Sequence, residues 1–150
     1  MEYRRAISKD INAFVQNRIE FVTSIREITD VESFKRNTKE YITANIDSDK
    51  LIIYIAVDGD AIISSCMACI FETAPLPSCL NGKSAELLNV YTKEMYRHKG
   101  HSRKLLELII KEIKENGVEK IFLESTKDGF GLYEKIGFSL LENQMQLKLK

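Results

Sequence analysis

Tryptophan is absent from the sequence, proline and histidine each occur twice, and cysteine occurs three times. Each scarcity removes a class of protein. An odd, small number of cysteines does not build a disulfide framework, so the thiols are expected to be reduced. His98 and His101 share one short loop with no paired cysteine or carboxylate spacing beside them, so no metal site is expected. With only two prolines and 44% hydrophobic residues, the chain has neither a polyproline nor a disordered composition. Lys plus Arg equals Asp plus Glu at 22 each, so no global positive field exists to gather nucleic acid or an anionic membrane surface. An anion site has to be local. No apolar run approaches the roughly 18 to 20 residues that span a bilayer. The start, Met1-Glu2-Tyr3-Arg4-Arg5, lacks the apolar stretch of a secretory signal, and a cytoplasmic location is expected.

What is present is enough for one core. A chain of 150 residues is of ordinary single-domain size, and one domain over 1–150 is expected. Cys66-Met67-Ala68-Cys69 has the spacing of a redox or zinc pair, but it falls inside an apolar run at 61–71 that reads as a strand. Residues three apart on a strand point to opposite faces, so buried, separate thiols are the expectation.

Hydrophobic periodicity orders the chain. Residues 2–7 read as a strand, and Ser8 or Asp10 then offers a cap to an amphipathic helix carrying Phe14, Val15, Ile19, Val22 and Ile25. A second helix follows over 31–46. Residues 51–57 and 61–71 are rich in β-branched and aromatic side chains, and Asp58-Gly59-Asp60 between them predicts a hairpin turn. A loop broken by Pro75, Pro77 and Gly82 precedes a strand at 85–91. From 100 to 116, Leu105, Leu106, Ile109, Ile110 and Ile113 form one stripe, closed by Asn116-Gly117. A short strand (121–124), a short helix (129–136) and a final strand (138–149) complete an α/β (α+β) chain of order β-α-α-β-β-β-α-β-α-β.

The start of the third helix breaks a rule. Helix N-termini favour Asp and Glu, because the dipole and the unpaired first-turn N–H groups attract negative charge. Here the surrounding side chains are Arg97, His98, Lys99, Arg103 and Lys104, with no acid among them. A strand, a basic turn containing Gly100 and a helix start make a phosphate cradle, since glycine lets an anion approach the backbone. Taken alone, the same residues also suit a solvated basic turn. Such a local conflict is typical of a functional site.

The segment Arg97-His98-Lys99-Gly100-His101-Ser102 resembles the acetyl-CoA-binding motif of the GNAT superfamily of N-acetyltransferases, in which Arg or Gln, two residues, Gly, one residue and Gly or Ala follow one another. Ser102 departs from it at the last position, where a hydroxyl offers the phosphate a donor instead. Leu132-Tyr133-Glu134-Lys135-Ile136-Gly137-Phe138 resembles the family's second signature, at the expected distance. The likeness is close over 85–138 and is one of element order over 1–84. It implies a mixed, mostly antiparallel sheet flanked by helices and splayed between 85–92 and 121–124, with acetyl-CoA in the V. In that arrangement the main chain of Val90, Tyr91 and Thr92 pairs with the pantetheine arm. Arg97, His98, Lys99, Gly100, His101, Ser102 and Arg103 wrap the pyrophosphate, and Arg103 or Lys104 reaches the ribose phosphate.

Acetyl transfer to nitrogen needs a neutral amine, whereas a lysine-like amine with a pKa near 10.4 is protonated at pH 7. A base or a water relay must take that proton, and an acid must meet the departing thiolate. The resemblance assigns the acid to Tyr133. Glu86, Glu124 and a water relay remain as bases, and strand alternation puts Glu86, Leu88 and Val90 on one face unless a bulge resets the phase. A main-chain N–H near Val90 is implied as the oxyanion donor. The acceptor, a small-molecule amine or a peptide amine, is expected between the first two helices and residues 72–84. An acetylase of protein N-termini or lysines, an acyl-CoA sensor without transfer chemistry and a dimerisation domain are the competing functions; a homodimer is compatible with all of them.

Overall fold

A computed structural model describes residues Met1–Lys150. Strand β1 (Glu2–Arg5) leads through a single helical turn at Ser8–Asp10 into α1 (Ile11–Ile25). The entry is fixed by Asp10, which accepts Arg4 Nη1 and Nη2 at 2.7 and 3.0 Å and the Ile7 N–H at 2.9 Å. Hydrogen bonding by Arg4 holds this carboxyl below its ordinary pKa. Helix α2 (Val31–Asn45) starts where Asp30 accepts the Ser33 N–H at 3.0 Å, satisfying one of the orphan donors of the first turn. Gly59, at φ 62°, turns β2 (Leu51–Asp58) back into β3 (Ala61–Glu72). Strand β4 (Lys83–Thr92), helix α3 (His101–Glu115), strand β5 (Lys120–Phe122) and helix α4 (Phe130–Ile136) follow.

The five strands lie in sequence order, antiparallel except for the parallel pair β4 and β5. Helix α3 supplies the crossover that a parallel pair requires. Its Leu105, Leu106, Ile109 and Ile113 are fully buried, each worth about 1.5–3 kcal/mol. They pack on one sheet face with Ile52, Ile63 and Leu87, while Phe14, Val15 and Ile42 from α1 and α2 cover Leu51, Ile53 and Met67 on the other. Strand alternation divides the thiols in the same way. Cys66 lies in the α3-side core and Cys69 packs against the α1-side core, and all three cysteines are unpaired.

Two expectations change. Between Ser65 and Met67 the β3–β4 register shifts, so that Asn89 and Val90 together oppose Cys66. This bulge puts Asn89 in the left-handed region at φ 55° and resets the phase. Val90 therefore joins the α3-side core with Leu87, not the face of Glu86 and Leu88. Asn89 turns instead toward α1, where its Nδ2 donates to Ser65 Oγ at 2.9 Å and Ser65 Oγ donates to Asn17 Oδ1 at 2.6 Å.

The final strand expected over 138–149 does not form, and the element order stops at α4. Met145, Leu147 and Leu149 keep the alternation of a strand but are 94, 82 and 92% exposed. A strand needs a ladder, and β5, the sheet edge at this end, is three residues long and offers few hydrogen bonds.

Candidate active site

The parallel pair is short. β4 and β5 are in register from Ser84↔Lys120 to Glu86↔Phe122, and beyond that point β4 continues to Thr92 bonded only to β3. A cavity of about 310 Å³ opens where the strands part. It is lined by β4 from Glu86 to Val90, by Leu123 and Glu124 just past β5, by Tyr133 of α4, and by Arg18, Phe21 and Phe34 of the first two helices. The structure thus brings Glu86, Glu124 and Tyr133 around one space, with both carboxylates exposed.

Tyr133 is 8% exposed, its ring edge-on to Phe138 at 5.9 Å. Gly129 leaves room for it, because a Cβ there would stand 2.9 Å from the Tyr133 ring. Burial, with a smaller contribution from the Cys66 thiol, pushes the phenol up to about 12, and no hydrogen bond from the protein contributes. The hydroxyl therefore keeps its proton at any physiological pH and remains free to donate it.

At the far end of β4 the loop 93–100 closes back on the fold. Arg97 Nε donates to the Thr92 carbonyl at 2.9 Å, and Lys99 Nζ sits 5.7 Å from the centre of the Tyr96 ring. His98 and Gly100 both have positive φ, 63° and 84°. A Cβ on Gly100 would meet nothing, so its φ, and not crowding within the protein, calls for glycine there. The first helical bond of α3 runs from the Lys104 N–H to the Gly100 carbonyl at 3.1 Å. The N–H groups of His101, Ser102 and Arg103 are thereby left without helical partners, and no side chain caps them. With Arg97, Lys99, Arg103 and Lys104 exposed around them, these donors fit a pyrophosphate.

Two side chains of this loop have partners within the protein. His101 is buried, its Nδ1 2.7 Å from the Tyr3 hydroxyl and its ring beside Tyr96, so only its main chain faces the cradle. Ser102 Oγ is hydrogen-bonded to Thr92 Oγ1 at 2.7 Å, and Thr92 Oγ1 to Ser64 Oγ at 2.7 Å. The hydroxyl expected to serve the phosphate is tied to the sheet. Arg103 pairs with Glu107 one turn on, at 3.3 Å. No three His, Cys, Asp or Glu side chains converge as a metal site would require.

Arg18 and Arg26 line the cavity without having been site candidates. Arg18 lies three residues after Val15 and four before Val22, within the apolar stripe of α1. A cation on the buried face of an amphipathic helix was the available signal.

The fold and the parted strands are those of an acetyltransferase. Residues 20–138 match the model of the acetyltransferase (GNAT) family, and the chain belongs to that family. Among solved structures, a predicted acetyltransferase from Clostridium acetobutylicum, determined with acetyl-CoA, superposes with a TM-score of 0.91 at 25% identity, covering 99% of this chain and 96% of that one. A GCN5-related N-acetyltransferase from Ralstonia eutropha gives 0.87 at 20% identity over 99% of each chain. Glucosamine-6-phosphate N-acetyltransferase from Arabidopsis thaliana gives 0.73 at 21% identity, over 99% of this chain and 98% of that one. No curated protein matches the chain by sequence.

Proposed function

We propose that the protein transfers the acetyl group of acetyl-CoA to the primary amine of a small molecule. The observation that carries this is the convergence of Glu86, Glu124 and Tyr133 on one cavity at the parted strands. The Clostridium acetobutylicum structure, determined with acetyl-CoA, and the basic helix start support the donor. The cavity of about 310 Å³ has room for a small acceptor, and a second of about 750 Å³ shares Leu123, Glu124, Ser125 and Tyr133 with it.

Acetyl-CoA supplies a thioester carbon. The amine nitrogen bonds to it, the carbon–sulfur bond breaks, and the thiolate leaves with the electron pair. Glu86 takes the amine proton, directly or through one water, and Glu124 is the alternative base across the cavity. Tyr133 donates a hydrogen bond to the sulfur. A buried phenol that keeps its proton can stabilise the charge that develops on the sulfur. The main chain of Val90, Tyr91 and Thr92 and the donors of Arg97, His98, Lys99, Gly100, His101, Ser102 and Arg103 position the donor.

Release of free thiol from acetyl-CoA across a panel of amines tests the reaction and the acceptor together. Tyr133→Phe is expected to lower kcat by about 10²–10³-fold, the usual cost of removing one charge-stabilising donor. Unchanged turnover would remove Tyr133 from the chemistry, and CoA binding without turnover on any amine would favour a sensor. The unpaired cysteines fit a reducing compartment such as the cytoplasm. The exposed, alternating tail beside the free β5 edge supports a homodimer, and a monomer in sedimentation equilibrium would end that reading.

A further inference from the structure

Arg18 is a cation placed where a cation is costly. Its side chain is half-buried in the wall that α1 lends to the cavity, and burial lowers its pKa from the ordinary arginine value. Buried guanidinium groups are normally paired with carboxylates. Arg18 makes no salt bridge, although Arg4, Arg5, Lys93 and Arg103 all do. Of the five N–H donors a guanidinium carries, one reaches Asn89 Oδ1, at a long 3.4 Å. The group sits over the Phe34 ring, its Cζ 5.6 Å from the ring centre, which helps to hold it without supplying a counter-charge. Asn89 is itself held by the bulge and by Ser65, so the one acceptor that touches Arg18 is immobile.

Glu86 lines the same cavity and forms no ion pair with Arg18. Both act on the Cys69 thiol: burial pushes it up, a hydrogen bond with Tyr41 lowers it, Glu86 adds to the rise and Arg18 opposes it. One cavity therefore presents Glu86 on β4 and Glu124 just past β5 together with an unpaired guanidinium on α1, and Arg26 adds a second positive charge at the end of α1. The complement of such a wall is a molecule with an amine at one end and an oxyanion at the other.

We infer that the acceptor is a small amine bearing a carboxylate or phosphate, whose oxyanion pairs with Arg18 while its amine faces Glu86. This rests on the transferase reading and adds the acceptor's charge class to it. Carboxylate and phosphate share the fork-like acceptor geometry that a guanidinium recognises, and Arg18 is selective for the class.

The test is thiol release from acetyl-CoA with four amines of one chain length: propylamine, 3-aminopropionate, 3-aminopropyl phosphate and 1,3-diaminopropane. The expected result is a kcat/KM at least about tenfold higher for one or both anionic amines than for propylamine, the size of one charge-assisted hydrogen-bonded pair. The better of the two identifies the oxyanion. Arg18→Met, which keeps the aliphatic stem over Phe34, should collapse that ratio, and Arg18→Lys should restore part of it. Preference for propylamine or the diamine, or a ratio untouched by Arg18→Met in a variant that melts like the parent, overturns the inference. If no amine releases thiol, the transferase reading fails separately. Calorimetry of the CoA-loaded protein with the two anionic amines then decides the inference: binding lost in Arg18→Met retains it, and no binding overturns it.

Discussion

The loop before α3 and the wall of α1 both carry positive charge, and they do so in opposite ways. Arg97, Lys99, Arg103 and Lys104 are exposed, clustered and backed by main-chain donors, whereas Arg18 is single, half-buried and held by an asparagine and an aromatic ring. Charge in water is cheap to keep and screened by salt, so many residues are needed to fix an anion there. Charge behind a low-dielectric wall is expensive, and one residue can select a partner. The exposed cluster suits a large donor met by diffusion; the buried cation suits discrimination among small acceptors.

Within this comparison, changes at Glu86, which shares the cavity with Arg18, should have the largest effect. Glu86→Gln should lower kcat by about 10²-fold and Glu124→Gln by much less, if proton removal belongs to β4. The reverse ranking in steady-state kinetics would move the base to the other strand. Asn89, the residue that touches Arg18, comes next. Asn89→Val forces a β-branched side chain into φ 55° and strips the hydrogen bonds to Ser65, costing about 2–3 kcal/mol in denaturant unfolding. Asn89→Gly should cost less, since it keeps the backbone and loses only the side chain. The exposed cluster should respond least to any single change. Arg97→Glu is expected to raise the KM for acetyl-CoA about tenfold, and parent and variant should converge as ionic strength rises. A salt-independent difference would mean that Arg97 acts by fixing the Thr92 carbonyl and not as a charge.

The same contrast explains what the sequence disclosed. The uncapped basic start of α3 was legible because its signal is a violation, basic residues where acidic ones are favoured. Helix α3 was legible from a stripe of five aliphatic residues and a glycine stop, now seen at φ 79° in Gly117. The β4 bulge was foreseen as an option but not located, because nothing local to Leu88-Asn89-Val90 states that Asn89 will find Ser65 and Asn17 across the sheet. Ser102 and His101 were read toward the ligand, and tertiary partners, Thr92 and Tyr3, turned their side chains inward. The tail has the alternation of a strand, yet alternation describes one strand's two faces and carries no information about whether a neighbour exists. Arg18 stands at the spacing of the apolar stripe, between Val15 and Val22, but that spacing does not say which cavity the stripe will wall until the register of the helix against the sheet is known.

The chain of hydroxyls from Ser64 through Thr92 to Ser102 has a thermodynamic consequence. It ties the first turn of α3 to the middle of the sheet, while the Lys93 N–H to the Ile63 carbonyl, at 2.9 Å, anchors the other end of the intervening loop. A loop clamped at both ends has already surrendered its conformational freedom during folding, so an anion settling on it has little left to order. Entropy spent once, in folding, is then not charged again at each turnover.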